Sequence, residues 1–267
     1  MGAGFSPRWL ALREPYDRAA RNGAVLDAVA ATFAGASAAT VTDLGCGTGA
    51  TMRAIAPCLP ARQSWHLVDN DDVLLDVATK AAPAGAGVTA VVLDLAGALE
   101  RALNGCDLVA TSALLDLVSA AWLDRLVASL VRISRPFYAA LSYDGVVALR
   151  PETRHDAAVI AAVNLHQRTD KGFGPALGPD AARTAPARFR GAGFAVLKGR
   201  SDWRFGTGDR EIQMETLAGW ACAAGEIGVD PSILDEWLGE RRDHVTAGRS
   251  RMRVGHIDFF AMPTGRR

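Results

Sequence analysis

The chain alternates between short apolar runs and amphipathic stretches, with glycine, proline or acidic residues at many of the junctions. Ala39-Thr40-Val41-Thr42 alternates as a strand does and leads into glycines at 45, 47 and 49, with the helix-forming run 50–56 directly behind. Trp65-His66-Leu67-Val68 reads as a second strand, stopping at Asp69-Asn70-Asp71-Asp72. Val88 to Leu93 is a continuous apolar run rich in β-branched residues, the pattern of a buried parallel strand. Further strands fall near 107–112, 136–143, 194–201 and 252–262. Strands alternating with helical stretches predict a doubly wound α/β sheet.

The helical stretches are read from their spacing. Tyr16, Ala20, Ala24, Leu26, Val29, Ala30 and Phe33 make a preamble over 9–33, interleaved with Arg13, Asp17, Arg18 and Arg21. Asp71 and Asp72 suit the N-cap and first turn of a helix over 73–82. Leu114, Leu115, Val118, Trp122, Leu123, Leu126, Val127 and Leu130 trace one helix face. Pro151 and Glu152 open a helix running to about Arg168, 180–190 is helical, and 211–249 carries a second helical insertion. The organisation expected is a helical cap segment at 1–38, an α/β core at 39–150, an inserted helix and flap at 151–192, and the remaining sheet with its insertion at 193–267, all in a single domain.

Length and composition narrow this only a little. With 267 residues, 49% hydrophobic content and a formal net charge of +0, the chain reads as an ordinary soluble globule lacking the basic footprint of nucleic-acid binders. Lysine occurs only at 80, 171 and 198, and abundant alanine and arginine point to a GC-rich bacterial coding bias. Cys46, Cys58, Cys106 and Cys222 show no zinc spacing and read as buried small residues in a reducing cytoplasm. Met1-Gly2 with Ser6 matches an acylation pattern, read here as coincidence. No apolar segment is long enough to span a bilayer, so neither membrane nor nucleic acid is expected as a partner.

The chemistry concentrates at the glycine turn. Glycines between a strand and a helix allow a tight bend and close approach of a ligand. Gly45-x-Gly47-x-x-Ala50 satisfies the dinucleotide fingerprint, with Asp69 at a suitable distance for a ribose-binding acid, so a nicotinamide or flavin oxidoreductase stays in view. Asp43 argues against it, because a carboxylate ahead of the first glycine repels a pyrophosphate and welcomes a cation.

Asp43-Leu44-Gly45-Cys46-Gly47-Thr48-Gly49 resembles motif I of the class I S-adenosylmethionine-dependent methyltransferases, and the resemblance covers roughly 40–145. It implies a Rossmann-like seven-stranded sheet with an antiparallel last strand, here with helical cap insertions. It places the cofactor against Asp43, Gly45, Cys46, Gly47, Gly49, Asp69, Asn70, Asp94, Leu95 and Ser112. Asp69 would accept the ribose hydroxyls and Asp94 the adenine amino group. The N/D-P-P-Y/F turn of amino-group enzymes acting on adenine, cytosine or glutamine is missing after the fourth strand, where Ser112-Ala113-Leu114-Leu115 stands instead. The cysteine nucleophile of cytosine-carbon enzymes is missing too. The neutral charge and the extensive helical cap point to a small-molecule acceptor.

On the acceptor side, Tyr143 ends the fifth strand, and His166 is the candidate base beside a glycine-hinged flap carrying Asp170, Lys171 and Phe173. His155 and His166 lie about 16 Å apart along a helix, too far to share a metal, and no metal is expected. A non-catalytic protein that binds the same cofactor is the other reading this sequence leaves open.

Overall fold

The computed structural model describes residues 5–265, so Met1-Gly2 of the acylation pattern lies outside the described residues. The strands are β1 (Ala38–Leu44), β2 (Arg62–Asp69), β3 (Gly87–Val92), β4 (Leu108–Ser112), β5 (Phe137–Arg150), β6 (Phe194–Arg200), β7 (Trp203–Phe205) and β8 (Arg251–Pro263). They pair in the order β3-β2-β1-β4-β5-β8-β6, with β7 beside β8. The first five run parallel, and β8 lies antiparallel between β5 and β6. The order reverses between β1 and β4, which puts the ligand crevice at the carboxyl ends of those strands.

Helices cover both faces because side chains alternate along each strand. Phe137 and Ala139 of β5 and Phe259 of β8 join Leu44, Leu99, Trp122, Leu126 and Phe189 on one face. Tyr138, Ala140 and Phe260 join Val25, Val29, Val41, Met52, Trp65 and Leu67 on the other. The covering helices include α2 (Gly23–Thr32), α3 (Ala50–Ile55), α4 (Asp72–Lys80), α5 (Leu95–Ala102), α6 (Ala120–Ile133) and α8 (Ala181–Gly191).

A third cluster is the helical cap. The far halves of β5 and β8 run on beyond the parallel sheet and, with β7, support α7 (Asp156–His166), α9 (Arg210–Glu226) and α10 (Pro231–Thr246). Leu149, Val159, Trp203, Phe205, Ile212, Leu217 and Trp237 fill it, and Trp9, Leu12 and Tyr16 of α1 (Pro7–Ala20) pack against its edge.

Several sequence expectations are corrected. The run 88–93 is an edge strand bonded only to β2, so it is not buried on both faces and Val92 is 64% exposed. The preamble breaks at Arg21-Asn22, where the Asn22 side chain caps α2 by accepting from Val25 N. Leu114, Leu115 and Val118 are buried in a loop, because Ser119 caps α6 and the helix starts only at Ala120. β5 does not stop at Tyr143 but continues, with register shifts, to Arg150. Pro151 starts no helix: its carbonyl accepts from Arg241 Nη1 at 2.8 Å, and α7 begins at Asp156. Ser201-Asp202 separates β7 from β6. Cys222 is exposed and Cys58 half-buried, whereas Cys46 and Cys106 are buried as expected.

Candidate cofactor and acceptor site

β1 delivers Asp43 to the switch point, and the chain then turns through Gly45, Gly47 and Gly49 at φ +62°, +52° and +83°. Only glycine adopts such angles freely, and the space around the turn is also taken. A Cβ at Gly45 would meet Leu114 at 3.3 Å, one at Gly47 would meet Leu10 at 3.3 Å, and one at Gly49 would meet Ala78 and Arg53 at 3.2 Å. Cys46 N bonds Val68 O at 3.0 Å, tying the turn to β2. The Cys46 thiol is pushed far up by burial and carries no nucleophilic chemistry.

The acids at the neighbouring strand ends differ in their surroundings. Asp69 Oδ2 accepts from Gly47 N at 2.8 Å and its Oδ1 from Asp71 N at 3.1 Å, so it braces the turn. Asp43 is fully buried, and neither carboxylate oxygen has a hydrogen-bond partner. Burial pushes it up to about 8, with Arg21 pulling it down and Asp69 pushing the same way as burial. Asp94 is exposed and accepts from Ala96 N at 2.9 Å as the α5 cap. Leu93 N donates to Asp69 O at 2.8 Å, so Asp94 stands beside Asp69 along the strand ends. Leu95 turns its side chain into the core, and its carbonyl accepts from Trp122 Nε1 at 2.7 Å. Asn70 is exposed, and Ser112 is half-buried at the end of β4.

Residues 41–137, from β1 to the start of β5, match the family described as Methyltransferase domain. The core is a class I, S-adenosylmethionine-dependent methyltransferase domain. The fold of the methyltransferase agrees with a cyclopropane-fatty-acyl-phospholipid synthase-like protein from Lactobacillus casei ATCC 334, at TM-score 0.54 and 12% identity over 98% of this chain and 96% of that one. A SAM-dependent methyltransferase from Thiobacillus denitrificans, in complex with S-adenosyl-L-homocysteine, aligns at TM-score 0.46 and 16% identity over 97% and 99% of the two chains. No curated protein matches the sequence.

In this methyltransferase α1 is strapped across the glycine turn. The Glu14 carboxylate accepts from Arg53 Nε and Nη2 at 2.7 and 2.6 Å, while Arg53 Nη1 donates to Thr48 O at 2.7 Å. That bond from Arg53 holds Glu14 below the usual carboxylate range. Farther along α1, Tyr16 Oη donates to Asp209 at 2.9 Å and Trp203 Nε1 donates to Asp17 at 2.8 Å. Arg21 is buried with its Nε unpartnered, while Nη1 donates to Tyr138 Oη at 3.0 Å.

The expected acceptor residues are dispersed. His166 Nε2 meets Glu226 of α9 at 2.9 Å with Lys171 Nζ at 3.3 Å, so both belong to the α7–α9 junction and not to the turn. Asp170 Oδ1 accepts from Gly172 N and Gly174 N at 2.7 and 3.0 Å and is a loop-shaping carboxylate. Phe173 sets its ring edge-on to Trp122 at 5.6 Å. The flap is laid along the loop after β4: Leu177 N bonds Val118 O at 2.8 Å and Gly178 N bonds Asp116 O at 2.9 Å. Tyr143 is buried, and its Oη donates to Asn164 Oδ1 at 2.7 Å.

Asp116, Arg13, Trp203 and His256 gather beside Tyr143, and reasoning from sequence passed over Asp116 altogether. Its signal was a single carboxylate inside the apolar run Leu114-Leu115-Asp116-Leu117-Val118. Asp258, two residues past His256 on β8, accepts from Asn22 N at 2.9 Å and Leu141 N at 2.8 Å and is structural. Among the described residues no group of three or more His, Cys, Asp or Glu side chains is arranged to hold a metal.

Proposed function

We propose that this methyltransferase acts on a small-molecule acceptor and holds its cofactor between the glycine turn, Asp43, Asp69 and Asp94. The observation that carries the reading is Asp43, a buried carboxyl with both oxygens unpartnered beside a turn whose glycines hold left-handed backbone angles. A buried unpaired acid is costly, and a cationic ligand beside it relieves that cost. A pyrophosphate would add to it.

Within this arrangement Asp69 and Asp94 suit the ribose hydroxyls and the adenine amino group, and the free Nε of Arg21 suits a carboxylate. When bound, the cofactor supplies a methyl group on a sulfonium, a leaving group that needs no further activation. The chain's own residues then bind, orient and exclude water. Placing two reactants in near-attack geometry is worth about 7–11 kcal/mol, against roughly 3–5 kcal/mol for a general base. Placement therefore dominates, and the strapped α1 with the helical cap supplies it. The neutral net charge and covered site support a small acceptor over a nucleic acid.

Calorimetry with S-adenosylmethionine, S-adenosylhomocysteine and NAD tests the reading. Binding of the first two and not of NAD is expected, with S-adenosylhomocysteine accumulating when a small-molecule extract is added. NAD binding alone overturns it. Tight cofactor binding without consumption in any extract identifies a non-catalytic binder.

A further inference from the structure

Asp116 lies two residues beyond Leu114, whose side chain closes over Gly45. It is 7% exposed, and its Oδ1 has no hydrogen-bond partner. Elements from across the chain meet around it. β5 brings Tyr143, whose backbone N–H faces the carboxyl. β8 brings His256, 6% exposed with an unpartnered Nδ1, its ring 6.0 Å from that of Tyr143. β7 brings Trp203, 5.0 Å from His256, and α1 lays Arg13 over the Trp203 ring at 5.2 Å. Ala113, just past β4, and Leu141, at the first register shift within β5, hold φ +50° and +54°, angles that cost a non-glycine residue energy and gather at working sites.

The charges of this cluster do not balance. Burial raises Tyr143, with Asp144 and Asp116 adding to the effect, and burial together with Arg13 pushes His256 down to about 3, so both rings are neutral at pH 7. Arg13 Nε is bonded to Asp17 at 2.9 Å, Asp202 near His256 is held by Arg200, Arg204 and Arg253, and Asp144 by Arg200 at 3.6 Å. Burial pushes Asp116 up to about 6, with its own and Tyr143's backbone N–H groups and Arg13 opposing. Above that pH the cluster holds a carboxylate with one oxygen, Oδ1, unpartnered.

We propose that an amine acceptor docks against this cluster and that Asp116 takes the amine's proton. This rests on the methyltransferase reading. An ammonium of ordinary pKa about 10 is lowered by burial toward Asp116, whereas a hydroxyl as weakly acidic as water, about 15.7, stays far above it. In the step, one N–H bond breaks and its proton passes to the Asp116 carboxylate, leaving the nitrogen's pair free. That pair forms the N–C bond as the C–S bond breaks, its electrons leaving on sulfur. The product amine carries the positive charge that the sulfonium loses.

The test titrates the protein saturated with S-adenosylhomocysteine against methylamine, n-butylamine and benzylamine, and against the matching alcohols and carboxylates, by calorimetry at pH 5 and 7.5. The expected result is that an amine binds best, about tenfold or more tighter at pH 7.5, as a charged hydrogen bond predicts. Asp116→Asn is expected to remove both that preference and its pH dependence while S-adenosylhomocysteine affinity stays within about twofold, which reports an intact fold. Equal amine binding by D116N, or tighter binding of the alcohols or carboxylates by the wild type, overturns the proposal. If the wild type fails to bind S-adenosylhomocysteine, the methyltransferase reading falls instead. Where D116N does not fold, the wild-type pH dependence decides alone.

Discussion

Without a cationic neighbour Asp43 keeps its proton up to about pH 8, because burial outweighs the pull of Arg21. A cation seated beside it must displace that proton. Cofactor affinity is therefore expected to rise with pH, approaching about tenfold per unit below 8 and flattening above it, with one proton released. Calorimetry in buffers of different ionisation enthalpy reads the proton directly, and Asp43→Asn should abolish the slope. At Gly47, φ +52° and the Leu10 contact at 3.3 Å act together. Gly47→Ala is expected to cost more than about 1 kcal/mol of stability in urea unfolding. These residues were legible from the sequence because strand, glycines and helix are contiguous. Asp116 was not, since the groups that face it, Arg13 of α1 and Tyr143 of β5, come from elsewhere along the chain.

At the level of elements, α1 is held by polar contacts more than by a buried apolar face: Asp17 is its one fully buried residue. The Glu14–Arg53 pair is half-screened, at 17% and 18% side-chain exposure, yet both guanidinium contacts are short. Glu14→Gln is expected to speed amide exchange across Pro7–Ala20 while leaving α4 and α6 protected. The pH dependence has a definite sign. Glu14 is depressed in the fold, so its contribution is present above about 4.5 and is lost as pH falls through the folded value. The sequence announced this helix but not the break at Arg21-Asn22, because Asn22 reads as a mid-helix polar residue until its cap on α2 is seen. It misplaced the start of α7 for a related reason. Pro151 suits a first helical turn, but Arg241 claims its carbonyl and Asp156 instead caps Thr153 N at 2.9 Å. Strand positions came through because apolar runs and their acidic stops are local; β3 as an edge did not, since nothing in a β-branched run says how many neighbours it will have.

For the molecule as a whole, Asp43 and Asp116 are raised in the fold, to about 8 and about 6, and each stabilises it below its unfolded value and less as pH climbs to the folded one. His256, lowered to about 3, works the other way between 3 and its ordinary 6.5. The net expectation is a ligand-free protein that loses stability from about pH 4 to 8, by about 1.4 kcal/mol per pH unit where Asp43 alone titrates. Melting temperature against pH, repeated with saturating S-adenosylhomocysteine, should show the decline removed. The cap depends on Asp156, which accepts from Trp237 Nε1 at 2.8 Å and pairs with fully buried Arg241. Asp156→Ala strands that arginine and is expected to cost about 3–5 kcal/mol in denaturant unfolding.

β8 follows every other strand among the described residues, yet it lies inside the sheet with β5 and β6 on either side. During synthesis, every earlier strand leaves the ribosome before the one that joins them. Until residues 251–263 emerge, β5 and β6 each present an open ladder of amide and carbonyl groups with nothing between them. The nascent chain thus passes through a stage in which β5 and β6 are made and the strand between them is missing, and a ribosome stalled there would hold a species prone to self-association.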